Sequence, residues 1–197
     1  STLDRRRTLK ALYLDPLRER IRASSGRVHP DVPVFTLVID IKDDGEATYA
    51  ALHTMLTNYA GMLCEVRDGR YRAHAVKVVI TGHRPLALMK AQALRFAAMD
   101  GRLGDLESKE PVHLLPMISD KWSKVFQWRG EGTIPAGEAA KLRDLVRKAH
   151  GAGRLLRFWG TPEEPAVWKV LLDAGVDQLS TDDLPRLQTF LLGRSGE

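Results

Sequence analysis

Apolar segments of two kinds alternate along almost the whole chain, and this alternation sharply limits the folds open to it. Six short segments are rich in β-branched and other apolar residues, as in VFTLVIDI and VKVVIT, and we predict them as strands. One of these segments contains Pro116, which cannot donate a hydrogen bond to a neighbouring strand. The six predicted strands are 34–41, 76–81, 95–99, 113–118, 154–159 and 177–181.

Predicted helices and loops separate these strands. Asp15-Pro16 is typical of a helix start, with Asp15 as the cap and Pro16 in the first helical position, and Gly26 ends this first helix. Asp68-Gly69 predicts a hairpin within 64–73. Residues rich in Trp, Gly and charge predict a long loop over 120–135. The other predicted helices are 46–63, 85–92, 139–149, 165–174 and 184–192.

Strands that alternate with helices predict an α/β fold with parallel strands, either an open doubly wound sheet or a closed eight-stranded (β/α)8 barrel of the TIM type. Six strands favour the open sheet. Two features favour the barrel: no glycine-rich phosphate-binding turn follows any strand, and polar residues end nearly every strand.

Composition predicts one globular domain over residues 1–197. The chain is 44% hydrophobic and 28% charged, which excludes wholesale disorder. It contains no apolar run long enough to span a membrane, and the triplet Arg5-Arg6-Arg7 is not followed by the apolar stretch of a signal peptide. Cys64 is the only cysteine, so the chain cannot form an internal disulfide.

The positive charge is concentrated at the start of the chain. Residues 1–29 contain eight Arg or Lys and three Asp or Glu, and this excess equals the formal net charge of +5 for the whole chain. Tyr13 is the only aromatic residue in that segment. A nucleic-acid-binding protein usually spreads basic and aromatic residues over a folded face, so we expect a solvated basic helix and no nucleic acid partner.

The strand ends contain the candidate functional residues. Asp40 and Lys42 end the first strand two residues apart, hence on one face, where they could bind a cation and an anionic oxygen or could form a buried ion pair. Arg157 and Trp159 have the same spacing near the end of 154–159. An arginine within an apolar strand needs either a carboxylate, such as Asp40 or Asp120, or a ligand phosphate.

Three further residues lie at predicted strand ends. Asp120 and Thr181 follow the apolar parts of their strands, whereas Asp183 precedes Leu184-Pro185 and is better explained as a helix cap. His83, in a loop after the second strand, is the one histidine placed where a barrel performs its chemistry, and it is a weak candidate for an acid or base.

With these segments in view, the chain resembles the glycerophosphodiester phosphodiesterase and phosphatidylinositol-specific phospholipase C-like superfamily of TIM barrels. Residues over essentially the whole chain contribute to the resemblance, and the most specific of them are similar to the last two βα units of that family. The segments concerned are RTLKALYLDPL, FTLVIDIK, VVITGHRP, PMISDKW and LLRFWGTP…EPAVWKVLLDAGVDQLSTDDL.

The resemblance implies roles for several residues. It implies that Asp40 is a ligand of a divalent cation, Mg²⁺ or Ca²⁺, that Lys42 contacts the phosphate, and that Trp159 lines the substrate pocket. It places Arg157, Asp120 and Thr181 on the active face as further substrate-binding residues.

The family's paired catalytic histidines and its other metal ligands belong to its first two βα units, and no counterpart of those units is found in this sequence. The expected fold is therefore an incomplete barrel of about six units. We expect its exposed strand edges, 34–41 and 177–181, to promote self-association. Any export signal would lie upstream of Ser1.

Two functions remain as hypotheses. The first is a metal-dependent phosphoric diester hydrolase acting on glycerophosphodiesters or phospholipid head groups, with weak or no activity from this chain alone. The second is a barrel fragment without enzymatic activity that binds an anionic ligand or a protein partner.

Overall fold

The computed structural model describes residue 4 and residues 6–194, so Arg5 of the basic triplet lies outside the described residues. The chain divides into two compact units, Ser1–Met99 and Asp100–Glu197, and the single domain over residues 1–197 stays a prediction. The helices are α1 (Asp15–Ala23), α2 (Gly45–Thr57), α3 (Leu86–Ala91), α4 (Trp122–Val125), α5 (Ala136–Gly151), α6 (Pro165–Asp173) and α7 (Leu184–Arg194). The strands are β1 (Phe35–Ile41), β2 (Glu65–Arg67), β3 (Arg70–Arg72), β4 (Val76–Gly82), β5 (Leu94–Arg95), β6 (Ala97–Gly101), β7 (Met117–Lys121) and β8 (Leu155–Trp159).

Five of the strands pair in parallel, which confirms the α/β class. In the first unit β1 pairs with β4, and β4 pairs with the first residues of β6. In the second unit the last residues of β6 pair with β7, and β7 pairs with β8. The incomplete (β/α)8 barrel of about six units stays a prediction. None of the helices in the described part of the chain is both long and apolar enough to cross a membrane.

The first unit contains the predicted hairpin and a correction at its first helix. The strands β2 and β3 pair antiparallel around Asp68-Gly69, as predicted. Asp15 does not cap α1, because a π-helical turn over Lys10–Leu14 precedes it and leads directly into the helix. The Asp15 carboxylate instead accepts hydrogen bonds from Lys10 Nζ at 3.0 Å, Arg18 Nη2 at 2.8 Å and the Tyr59 hydroxyl at 2.7 Å.

Two predicted strands of the second unit are wrong in position or extent. Residues 113–116 form a turn that bonds to Pro111, and β7 begins only after Pro116, which has no N–H to donate to a ladder. Of the predicted strand 177–181 only one β-bridge remains, between Gln178 and Arg157. The backbone N–H of Leu156 donates a hydrogen bond to the Asp177 carboxylate at 2.7 Å. This side chain occupies a position that a backbone carbonyl would occupy if residues 177–181 formed a strand paired with β8.

The core of the second unit lies on one face of β7 and β8. Ile118 of β7 and the pair Leu156 and Phe158 of β8 pack against α5 and α6 and against the aromatic side chains of residues 122–128. Trp122 in α4 packs against Phe126 with ring centroids 4.2 Å apart and the ring planes tilted by 31°. The predicted loop 120–135 therefore contains the short helix α4 and contributes aromatic side chains to the core. Because residues alternate along a strand, Ser119 and Arg157 occupy the opposite face.

Candidate functional site

The C-terminal ends of β1 and β4 hold the site residues predicted in the first unit. Asp40 and Lys42 form an ion pair with 2.5 Å between Oδ2 and Nζ. Both side chains reach solvent, with 43% and 82% of their surface exposed, so the pair is on the surface and not buried. Water screens an ion pair at such a position, and its contribution to stability is small.

Gly82 of β4 approaches the Asp40 side chain closely, although the register partner of Asp40 is Thr81. The φ of Gly82 is +78°, and a Cβ at this position would collide with the Asp40 carboxylate and with the carbonyl of Ile41. The next residue, His83, donates its backbone N–H to the Ile41 carbonyl at 2.8 Å, and its side chain is exposed. The structure thus places His83 beside the end of β1, and its role as an acid or base stays a prediction.

The described side chains around Asp40 do not fit a divalent-cation site by themselves. Mg²⁺ and Ca²⁺ require several oxygen ligands. Among residue 4 and residues 6–194, no group of three or more His, Cys, Asp or Glu side chains is placed to hold a metal ion. The Asp40 carboxylate already binds the Lys42 ammonium. Metal binding by Asp40 therefore stays a prediction from the resemblance.

A pocket of about 570 Å³ lies beside β8 in the second unit. Arg157 and Trp159 of β8 line this pocket, and so does Thr181, which the sequence analysis predicts as a substrate-binding residue. Trp159 is 38% exposed, which is unusual for so large an apolar side chain at a strand end, and the Lys121 ammonium lies 5.7 Å from its ring centroid. The other lining residues are Gly160, Thr161, Glu163, Leu179, Ser180, Asp182, Leu184 and Leu187.

Among the described residues, Arg157 is the one basic residue that lines this pocket. It is half-buried, and burial lowers the pKa of its guanidinium; the charge of Asp100 opposes that shift and the charge of Arg102 adds to it. Within residues 6–194 the Arg157 side chain makes no hydrogen bond and no ion pair, although its backbone pairs with Ser119 across β7 and β8. The carboxylate whose charge acts on it is Asp100, which the sequence did not suggest.

Glu163 organises the rim of the pocket. Its carboxylate accepts the Thr181 hydroxyl at 2.6 Å and the Asp182 N–H at 2.8 Å, and the Arg186 guanidinium donates to its carbonyl at 2.5 Å. Sequence reasoning missed Glu163, because Glu163-Glu164-Pro165 resembles an ordinary acidic helix start. Asp183 caps α7 as predicted, since its carboxylate accepts the N–H of Arg186 at 3.1 Å.

Asp120 is not brought together with Arg157. Its register partner in β8 is Phe158, so the alternation of the strand assigns it to the face opposite Ser119 and Arg157. Its carboxylate accepts the backbone N–H of Lys121 at 2.8 Å. Substrate binding by Asp120 stays a prediction that the observed geometry does not support.

Residues 156–185, which include most of the pocket lining, match the family model of the glycerophosphoryl diester phosphodiesterase family. The match supports the resemblance to that superfamily and suggests a phosphodiesterase-type function for the segment around Arg157 and Trp159. It covers a minor part of the chain. No solved structure matches the chain.

Two curated fungal proteins are similar over much more of the chain. The altered inheritance of mitochondria protein 6 homolog of Arthroderma benhamiae is 26% identical over 93% of this chain and 66% of its own length. The altered inheritance of mitochondria protein 6 of Eremothecium gossypii is 27% identical over 78% of this chain and 46% of its own length. The chain thus spans only part of each of these relatives, and it is similar to a distant group of proteins whose names state no enzymatic activity.

Proposed function

We propose that the pocket beside β8 binds the phosphate of a phosphodiester, and that the chain is part of a phosphoric diester hydrolase acting on glycerophosphodiesters or phospholipid head groups. The observation that carries the proposal is Arg157, a half-buried guanidinium that lines the pocket and has no hydrogen-bond or ion-pair partner within residues 6–194. Desolvating an unpaired charge is costly, and a phosphate would supply the missing partner.

The lining of the pocket suits both halves of such a ligand. The planar guanidinium of Arg157 can donate two parallel hydrogen bonds to non-bridging phosphate oxygens and can offset negative charge that grows there during hydrolysis. The buried hydroxyl oxygen of Ser180 also lacks a partner in the described part of the chain and would be a second polar contact. Trp159, Leu184 and Leu187 form an apolar wall for the esterified group.

Thr181 and Glu163 would help to hold the rim of the pocket in position and would not bind the phosphate directly. Since the Thr181 hydroxyl donates to Glu163, this pair fixes the rim and is not itself a free phosphate donor. In the first unit, phosphate contact by Lys42 and metal binding by Asp40 remain predictions from the resemblance, and we derive no chemical step from a metal ion.

A titration of the chain with glycerol phosphate tests the binding proposal. We expect Arg157→Gln to weaken binding by about 10- to 100-fold, the loss typical of a charge-assisted hydrogen bond worth about 1.5–3 kcal/mol. Arg143→Gln is the matched control, because Arg143 is an exposed residue of α5 and does not line the pocket. If Arg157→Gln binds glycerol phosphate as tightly as the unmodified chain, the pocket is not a phosphate site.

The second candidate is an anion-binding protein without enzymatic activity. The observation that favours it is the lack, among the described residues, of three clustered side chains able to hold a metal ion. Turnover of a chromogenic phosphodiester in the presence of Mg²⁺ separates the candidates. Hydrolysis that is lost in Asp40→Asn supports the hydrolase, whereas glycerol phosphate binding without turnover supports the binding protein.

A further inference from the structure

In the first unit, the hairpin of β2 and β3 carries a concave surface with three arginine residues. The volume of the concavity is about 480 Å³, which is in the range of sites for small ligands. None of the residues that line it belongs to the pocket beside β8. The lining residues are Glu65, Arg67, Asp68, Arg70, Tyr71 and Arg72.

The register of the hairpin places the three arginines on one face. Arg67 is paired directly with Arg70, and Glu65 is paired directly with Arg72. Directly paired residues of antiparallel strands share a face, and so do residues that lie two apart along one strand. The three guanidinium groups and the Glu65 carboxylate therefore extend from the same side of the hairpin.

The opposite face anchors the hairpin to the first unit. Val66 is 7% exposed, and its register partner Tyr71 lies on the same face. Burial and a hydrogen bond with the Cys64 thiol raise the pKa of Tyr71. At the turn, the backbone N–H of Asp68 donates to the Ala93 carbonyl at 2.7 Å. The arginines therefore extend from a backbone that is held in place.

Few of the charges on the arginine face are paired. Arg67 Nη2 lies 3.7 Å from Glu65 Oε2, which makes an ion pair too long for a hydrogen bond. The side chains of Arg70 and Arg72 are exposed. Within residue 4 and residues 6–194 they make no hydrogen bond and no ion pair, and neither does the Asp68 carboxylate. Two guanidinium groups of this face are therefore available to a ligand.

The direct pairing of Arg67 with Arg70 is unfavourable for the hairpin by itself. Like charges that face each other on neighbouring strands are destabilising, and an acidic residue at either position would remove that cost. A guanidinium group can donate two parallel hydrogen bonds to phosphate oxygens. Several arginines on one face therefore suit a phosphate group with several free oxygens.

We infer that the arginine face of the hairpin binds a phosphate group with two or more negative charges, as phosphate monoesters and diphosphates have. Arg70 and Arg72 supply the unpaired guanidinium groups, and Arg67 adds a third. The inference does not rest on the proposed function. A phosphodiester has a single negative charge, and the pocket beside β8 offers one arginine, so the two sites differ in the charge of the ligand that they fit.

Calorimetric titration with inorganic diphosphate tests the site. The titrated chain carries Arg157→Gln, so that the pocket beside β8 contributes no arginine. We expect the additional changes Arg70→Gln and Arg72→Gln to weaken binding by at least about 10-fold, as expected for lost charge-assisted hydrogen bonds. The matched control combines Arg129→Gln with Arg143→Gln, which removes two exposed arginines from the second unit.

A second titration distinguishes a soluble ligand from a lipid head group. Sedimentation with phosphatidylcholine vesicles is measured with and without phosphatidic acid, whose head group is a phosphate monoester. Binding that requires phosphatidic acid and is lost with Arg70 and Arg72 supports the site and assigns it to a lipid. Diphosphate binding that depends on the two arginines, without vesicle binding, supports a soluble ligand. If neither probe binds more weakly to the Arg70 and Arg72 variant than to the control, the inference is refuted.

Thermal unfolding of Arg70→Gln separates ligand binding from a structural role. This variant removes the charge opposite Arg67, so we expect its melting temperature without ligand to be unchanged or higher. Diphosphate should raise the melting temperature of the unmodified chain and should leave that of the Arg70 and Arg72 variant unchanged. A lower melting temperature of Arg70→Gln without ligand would show that the arginine stabilises the fold, and it would overturn the inference.

Discussion

Arg154 should be one of the most important single side chains for the stability of the second unit. It is 2% exposed and lies just before β8. Its two terminal nitrogens donate to four backbone carbonyls in the segment that follows Arg102. These are Asp105 at 2.8 Å, Leu106 at 3.1 Å, Ser108 at 2.6 Å and Glu110 at 2.9 Å. The segment contains only a single 3₁₀ turn, so it depends on Arg154 for much of its order.

The cost of replacing Arg154 by methionine follows from these bonds. Hydrogen bonds to a charged group contribute about 1.5–3 kcal/mol each, so four of them set an upper bound of roughly 6–12 kcal/mol. Several of the four carbonyls belong to partly exposed residues and can bind water once the guanidinium is gone. We therefore expect Arg154→Met to lower the free energy of unfolding by about 3–5 kcal/mol, the range for breaking a buried charged interaction.

Urea unfolding of Arg154→Met, of Arg154→Lys and of the control Arg143→Met measures this effect. Lysine keeps the charge but presents one compact ammonium, which cannot reach four separate carbonyls, so we expect an intermediate loss. Amide hydrogen exchange of residues 105–110 should accelerate in Arg154→Met. A loss below about 1 kcal/mol, or unchanged exchange in that segment, would refute the reasoning.

Three further predictions concern the first unit. Burial raises the pKa of Tyr49 to about 12, so the unfolded chain loses the phenolic proton at lower pH than the folded chain does. The free energy of unfolding should therefore fall by up to about 2.7 kcal/mol as the pH rises from 10 to 12. Urea unfolding of Tyr49→Phe should lack this fall. Burial lowers the pKa of His53, whose ring stacks on Phe96, so the stability contributed by the neutral ring is complete above the ordinary pKa of histidine and is lost as the pH falls. The melting temperature of His53→Phe should therefore fall less in acid than that of the unmodified chain. An equal or larger fall would contradict this. Gly82→Ala should cost about 1–3 kcal/mol, because its φ of +78° is strained for alanine and the new Cβ meets the Asp40 carboxylate; unchanged thermal stability would count against it.

The strands that the sequence located best are those with a long apolar run. The segments 34–41, 76–81 and 154–159 correspond to β1, β4 and β8 within a residue or so at each end. The prediction failed for β7, which has the sequence MISDK, because three of its five residues are polar. The predicted strand 113–118 therefore overlaps β7 only at Met117 and Ile118, and its first residues belong to a turn that bonds to the Pro111 carbonyl. Local hydrophobicity cannot show that a polar segment is held in a strand by parallel neighbours on both sides.

The sequence predicts the candidate site best where the spacing of two residues in one strand determines whether their side chains share a face. Asp40 and Lys42 lie two residues apart and do form a pair on one face, although the pair is exposed and not buried. The arginine within LLRFW correctly indicated a charge that needs an explanation. Its electrostatic neighbour Asp100 was missed because β6 was expected to end at Met99, whereas it continues through Asp100 and Gly101. Because the predicted strand ends two residues too early, the buried carboxylate of Asp100 was not among the predicted site residues.

The register of the second unit explains why polar groups collect at one level of the sheet. On the face that carries Arg157, the apolar residue Met117 of β7 pairs with Leu155 of β8. Two residues further along both strands, the polar residue Ser119 pairs with Arg157. Exposure does not account for the change, because Ser119 is as completely buried as Met117. Apolar residues of similar size at Ser119 and Asp100 would avoid the cost of burying polar groups. Under the proposed function, a phosphate bound by Arg157, whose guanidinium has no hydrogen-bond or ion-pair partner within residues 6–194, would account for the buried polar residue Ser119 directly beside it.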